Sequence, residues 1–188
     1  MQQQTQHHTT CDDAPITAAK GIHPDRSLSA EAITIARPAQ ELYDFWRDPL
    51  NLVSVMENIQ SIAPIDSNRS TWTVKGPGGK HFAWESVITH EVPGREISWQ
   101  SAPGGEIDNS GKVEFIDAGQ RGTVVRVVIA YDAPGGIFGR TLAKLLQREP
   151  RIQTRRDLRR LKQLMETGEI ATSARNRREH NERTGAAA

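Results

Sequence analysis

Along this chain the spacing of apolar residues changes period twice. Ala32-Ile33-Thr34-Ile35 alternates and predicts a first strand, which Arg37-Pro38 stops. Leu42, Phe45 and Trp46 then recur at helical spacing, with Pro38 suited to the first turn. Asp48-Pro49 breaks that helix, and Leu52, Val55 and Met56 mark a second short one. From there to Tyr131 the period is two. The alternation predicts strands over 59–65, 70–75, 80–92, 96–101, 109–116 and 123–131. Pro93-Gly94 and Pro103-Gly104-Gly105 separate them, since proline presets the first corner of a turn and glycine accepts the second. The period returns to that of a helix over 136–167, on a stripe that includes Phe138, Leu142, Leu145, Leu158 and Leu161. Pro150 interrupts the stripe, and a kink there would let the helix follow a curved sheet. Gly168 is the expected C-cap.

A run of antiparallel strands closed by one amphipathic helix has one economical way to bury itself. The sheet curls, and the helix lies across its concave face. The predicted fold class is therefore α+β, a helix-grip: a seven-stranded curved antiparallel sheet wrapped around a long C-terminal helix, with two short helices after the first strand. Residues 1–26 are polar and aperiodic and are expected to be a disordered tail; 27–170 form the domain, and 171–188 a flexible polar tail.

Strand parity assigns the concave face. Phe82, Trp84, Ser86, Ile88 and His90 share one side of the fourth strand, leaving Glu85, Thr89 and Glu91 for solvent. Trp72 with Val74, Ile97 with Trp99, and Asn109, Val113 and Phe115 point the same way, as do Val125, Val127, Ile129 and Tyr131. Aromatic residues make up only 5% of the chain, yet three of its four tryptophans fall on this face. An apolar hollow with a few polar groups is how small-molecule sites are built. The expected ligand-contacting residues are Trp72, Phe82, Trp84, Trp99, Phe115, Tyr131, Leu142 and Leu145. For each tryptophan, plain core filling is the competing assignment.

Several sequence patterns carry the resemblance of this chain to a family. Ile33-Thr34-Ile35-Ala36-Arg37-Pro38-Ala39-Gln40-Glu41-Leu42-Tyr43-Asp44-Phe45-Trp46 resembles the opening of the SRPBCC superfamily. Phe82-Ala83-Trp84-Glu85 with Pro93-Gly94-Arg95-Glu96-Ile97-Ser98-Trp99 resembles its middle hairpin, and Gly111-Lys112-Val113-Glu114-Phe115 the strand after it. Asp157-Leu158-Arg159-Arg160-Leu161-Lys162 resembles the closing helix of a bacterial polyketide cyclase/dehydrase or coenzyme Q-binding-like branch. The superfamily also includes START-like lipid-transfer domains and Bet v 1-like carriers. The resemblance implies the helix-grip fold and binding or transport of a lipid, quinone or aromatic polyketide between sheet and helix. It transfers no catalytic site.

Composition and candidate chemistry narrow the picture further. The net charge is +1, which gives no global attraction for nucleic acid. The stretch from Arg151 to Ala188 holds ten Lys/Arg against five Asp/Glu, a solvated face or a weak membrane-surface contact. Cys11 is the only cysteine, so no internal disulfide forms, and the first residues lack a signal pattern; a cytoplasmic protein is expected. No nucleophile elbow and no metal-ligand spacing is found, so no cofactor and no metal are expected. General acid–base chemistry needs a poised group inside the hollow. His90 and Tyr131 are the candidates for a cyclase- or dehydratase-type enzyme, the alternative to a carrier. A third possibility is a noncatalytic interaction module with a solid interior. Ile116 and Val124 are too few to mark a dimer face, and the oligomeric state is not legible.

Overall fold

The structure is a computed structural model and describes residues 27–75, 81–132 and 150–171. Strand β1 (Ser27–Ile35) leads into helices α1 (Ala39–Arg47) and α2 (Pro49–Val55). Strands β2 (Ile59–Pro64), β3 (Arg69–Lys75), β4 (His81–Val92), β5 (Glu96–Ser101), β6 (Asp108–Asp117) and β7 (Thr123–Asp132) follow, and helix α3 (Pro150–Thr167) closes the chain. The strands form one antiparallel sheet in the order β1-β7-β6-β5-β4-β3-β2. Consecutive strands are neighbours except at one place. β1 lies beside β7 at one edge and β2 at the other, so α1 and α2 carry the chain across the sheet between them. This is the helix-grip architecture that the pattern of periods predicts.

Local chemistry explains the joints. Asp48 ends α1 and starts α2: its carboxylate accepts from the Leu50 N–H at 3.0 Å, and Pro49 fills the first helical position, where no N–H is needed. Gly168 ends α3 with φ of +78°, and its N–H donates to the Leu164 carbonyl at 2.8 Å, as the C-cap expectation requires. Phe138, Leu142, Leu145 and the supposed kink before Pro150 lie outside the described residues.

The sheet face toward α3 carries the core. Ile35, Leu42, Val55, Val113, Val125, Val127 and Leu161 are all essentially inaccessible. The basic residues of α3 are not a simple solvated face. Arg160 donates to the Val55 and Ser54 carbonyls and pairs with Glu57 at 2.8 Å, which ties α3 to the end of α2. Lys162 donates to the Thr34 carbonyl at 2.6 Å, and Arg155 pairs with Glu31 at 3.2 Å, which ties α3 to β1. These contacts explain why β1 is longer than its apolar alternation. Its first inward residues, Ser29 and Glu31, are buried but polar, and they meet Thr154 and Arg155 of the helix.

Candidate functional site

The interior is solid at one end and hollow at the other. Between the sheet from β2 to β7, α2 and α3 lies a cavity of about 450 Å³, within the range of roughly 300–1,000 Å³ common for small-molecule sites. All four tryptophans line it. Trp72 and Trp84 come from adjacent paired positions of β3 and β4 and stack at 5.9 Å between ring centroids. Trp99 of β5 lies over Gly111 of β6, where a Cβ would run into the indole and come within 2.7 Å of the Val128 carbonyl oxygen. Glycine is needed there because it leaves the indole room to lie flat on the sheet. Trp46 enters from α1, and Leu52, Val55 and Met56 of α2 complete the apolar lining.

One edge of the cavity is polar, formed by the α1–α2 joint and the β2–β3 turn. Arg47 holds these together: it pairs with Glu91 at 2.6 Å and donates to the Ser67 carbonyl at 2.8 Å and to Asn68 Oδ1 at 3.2 Å. Arg69 is engaged by Asp66 at 2.7 Å and Glu85 at 3.4 Å.

The helix contributes Gln153, Thr154 and Asp157. Asp157 is the one described group in the cavity whose ionisation is strongly displaced. Burial pushes its carboxyl up to about 7; hydrogen bonds from the Glu57 N–H and from Gln153 at 2.8 Å only partly oppose this. The Arg160 guanidinium, whose charge also opposes the shift, is spent on Glu57 and the α2 carbonyls.

The sequence-predicted positions sort into four groups. Trp72, Trp84 and Trp99 stand on the cavity wall. Phe82 packs against the small cluster of Trp84 and Ile107, beside the cavity rather than on its wall. Phe115 belongs to the solid end: it is buried, with edge contacts to Tyr43 at 6.0 Å and Trp46 at 6.4 Å. Leu142 and Leu145 lie outside the described residues, and Tyr131 is described only as backbone, paired with Asn109.

His90 is a correction. The register of β4 against β5 passes from Ile88↔Trp99 to His90↔Ser98, so Thr89 is an extra residue, a β-bulge. Beyond it parity inverts. His90 turns to the outer face, where its side chain is 58% exposed and its Nε2 lies 3.1 Å from Glu96. Glu91, expected outside, instead reaches α1 and accepts from the Tyr43 hydroxyl at 3.2 Å. Burial, together with this contact, pushes the Tyr43 phenol up.

Asp157, Gln153 and Trp46 were missed by strand parity because they are on helices. The available signal was helical spacing: Asp157 precedes Leu161 by four residues, and Trp46 follows Leu42 by four. Among the described residues no group of three or more His, Cys, Asp or Glu side chains could hold a metal, and no helix is long and apolar enough to cross a membrane.

Residues 35–159 match the family model described as polyketide cyclase/dehydrase and lipid transport. The chain belongs to that family. Its fold is matched by DR_A0006 from Deinococcus radiodurans, at 38% identity over 76% of this chain and 100% of that one, with a TM-score of 0.62. TTHA0849 from Thermus thermophilus matches at 22% identity over 71% of this chain and 92% of that one, TM-score 0.58. The Zhui aromatase/cyclase from a Streptomyces species matches at 12% identity over 78% of this chain and 99% of that one, TM-score 0.57, a likeness of fold alone. No functionally curated protein matches the chain in sequence.

Proposed function

We propose that this chain binds a small hydrophobic molecule (a lipid, a quinone or an aromatic polyketide) between the sheet and the C-terminal helix. The observation that carries this is the cavity of about 450 Å³ walled by four tryptophans. A solid interior would have favoured an interaction module. Packing side chains to the density of a normal core leaves few voids larger than a water molecule, so a hollow of this size is a feature and not slack. Membership of a family described as including lipid transport agrees with it. The test is native mass spectrometry of gently purified full chain, followed by organic extraction. A defined hydrophobic molecule is expected in the native chain and absent from Trp99→Ala. If the native chain holds no such molecule and takes up none from a panel of quinones, fatty acids and polycyclic aromatics, the reading fails.

A second reading is supported by Asp157. A carboxyl that titrates near 7 can both give and take a proton at neutral pH, the requirement for enolisation and dehydration steps in ring closure. Cyclase-type chemistry would then use Asp157, with His90 set aside by its outward position. Asp157→Asn should leave ligand affinity within about twofold and remove any cyclisation of a poly-β-ketone analogue. Unchanged turnover in that variant would end this assignment.

A further inference from the structure

Three serines stand side by side across the sheet. Ser70 of β3 is paired with Ser86 of β4, and Ser86 with Ser101 of β5. Ser70 and Ser86 line the cavity, whereas Ser101 does not. Two of the three hydroxyls are taken: Ser70 Oγ accepts from Trp72 Nε1 and Ser101 Oγ from the Asn109 N–H, each at 2.9 Å. The Ser86 hydroxyl has no hydrogen bond among the described residues, although only 7% of the residue is exposed. It is also not sealed. Trp84 Nε1 and Asn109 Oδ1 are unpaired and closed off from the hollow, and the Ser86 oxygen is not such an atom. It therefore opens into the cavity that the residue lines. A buried hydroxyl left without a partner is costly, so its place on the wall of a hollow points to a ligand that completes it.

The neighbouring rows of the sheet define the shape of that ligand. Two residues to one side of Ser86 stands the stacked Trp72–Trp84 pair; two residues to the other side, Ile88 stands opposite Trp99. At about 3.3 Å per strand residue, these two rows are roughly 13 Å apart along β4, with the free hydroxyl midway. A flat molecule of two or three fused rings spans most of that distance, rests on indoles at both ends and brings a central substituent to Ser86. Charge narrows the choice further. The lining cations Arg47 and Arg69 are held by Glu91, and by Asp66 and Glu85. A carboxylate buried at Ser86 would have one hydroxyl and no free described cation beside it, too little to replace its water.

We propose that Ser86 is the polar contact of the bound ligand, and that the cavity takes a flat, neutral molecule with a carbonyl or hydroxyl oxygen at its middle. The Ser86 hydroxyl donates to a carbonyl, or both donates to and accepts from a ligand hydroxyl. This rests on the cavity being a hydrophobic-ligand site, and within that reading it favours a quinone or an aromatic polyketide over a fatty acid.

Three probes built on one ring system test it by equilibrium dialysis against the full chain: 9-fluorenone (a central neutral oxygen), fluorene (no oxygen) and 9-fluorenecarboxylate (a central anion). The native chain should bind fluorenone about fivefold more tightly than fluorene, as expected for one hydrogen bond to an otherwise unpaired group, and the carboxylate no more tightly than fluorene. Ser86→Ala should make fluorenone and fluorene equal, with fluorene affinity unchanged and the denaturation midpoint no lower than native, since an unpaired hydroxyl has been removed. Ser101→Ala, whose hydroxyl is already occupied and off the cavity wall, should keep the fluorenone preference. Equal binding of fluorenone and fluorene by the native chain, a preference that survives Ser86→Ala or disappears in Ser101→Ala, loss of fluorene binding in Ser86→Ala, or a carboxylate that binds best overturns the subsite and leaves the cavity reading standing. If none of the three binds, the subsite falls; if the wider panel of quinones, fatty acids and polycyclic aromatics is refused as well, the cavity reading falls with it.

Discussion

Phe115 and Trp99 both point from the concave side of one sheet, yet they sit in opposite surroundings. Around Phe115 the neighbours are buried: Tyr43 and Trp46 meet its ring edge-on, Trp46 at the border with the hollow, and Val113, Val125 and Leu42 belong to the same buried cluster. Trp99 is half-buried on the wall of a hollow, whose lining also holds two buried polar atoms with no partner among the described residues and a carboxyl pushed up to about 7. The first region obeys every rule of a stable interior. The second breaks several at once, and a protein retains such defects where they serve a ligand. The largest test of that contrast is a pair of truncations. Phe115→Ala should cost about 3–5 kcal/mol in chemical denaturation, since its cavity cannot collapse. Trp99→Ala opens space that is already hollow and should cost about 1–2 kcal/mol while losing ligand. Equal costs would mean that the two ends do not differ in packing.

The second test uses charge. The folded carboxyl of Asp157 titrates near 7, against a reference of 3.8. Because the folded state holds its proton more tightly than the unfolded state, stability is full below about pH 4 and falls as pH rises toward 7, then levels. Asp157→Asn keeps an oxygen for Gln153 and the Glu57 N–H but removes the titration. It should match the native chain at pH 4 and exceed it at pH 8 by up to about 4 kcal/mol, from some three pKa units at about 1.4 kcal/mol each. Denaturation midpoints across this range, with the carboxyl followed by NMR, decide it; parallel pH profiles would place Asp157 in water.

Between these effects and the next lies the fit of one side chain to another. Gly111→Ala should displace the Trp99 indole and strain the sheet, costing about 1–3 kcal/mol and blunting the tryptophan fluorescence response to ligand. A variant with native stability and response would show that the indole does not rest on Gly111.

The difference between the two ends also decides what could be read without the structure. Alternation from Trp72 to Ile129 is legible because side chains on a strand have only two directions, and the fold follows from that and the final helix. It fails at Thr89, a bulge with no glycine or proline to mark it, and one extra residue there turns His90 out and Glu91 in. It also fails to tell Phe115 from Trp99, because parity fixes the face and not the depth at which helices fill the space. Ser29 and Glu31 hid half of β1, since their partners on α3 are polar. Asp157 stands among arginines and strand parity says nothing of it, though its spacing from Leu161 already puts it on the buried side.

The smallest effect separates the cavity's rim from its wall. Arg47 joins α1 to the β2–β3 turn through Glu91, Ser67 and Asn68, with 27% of its side chain exposed. Partly exposed ion pairs contribute little, so Arg47→Met should change stability by no more than about 1 kcal/mol. The aliphatic stem survives in methionine, and the substitution removes the clasp without opening the core. Amide exchange in Ser67–Arg69 should speed up, and a bound fluorescent ligand should dissociate faster with little change in how tightly the wall grips it. If exchange quickens and dissociation does not, ligand leaves by another route, and the β2–β3 turn is part of the frame and not of the entrance.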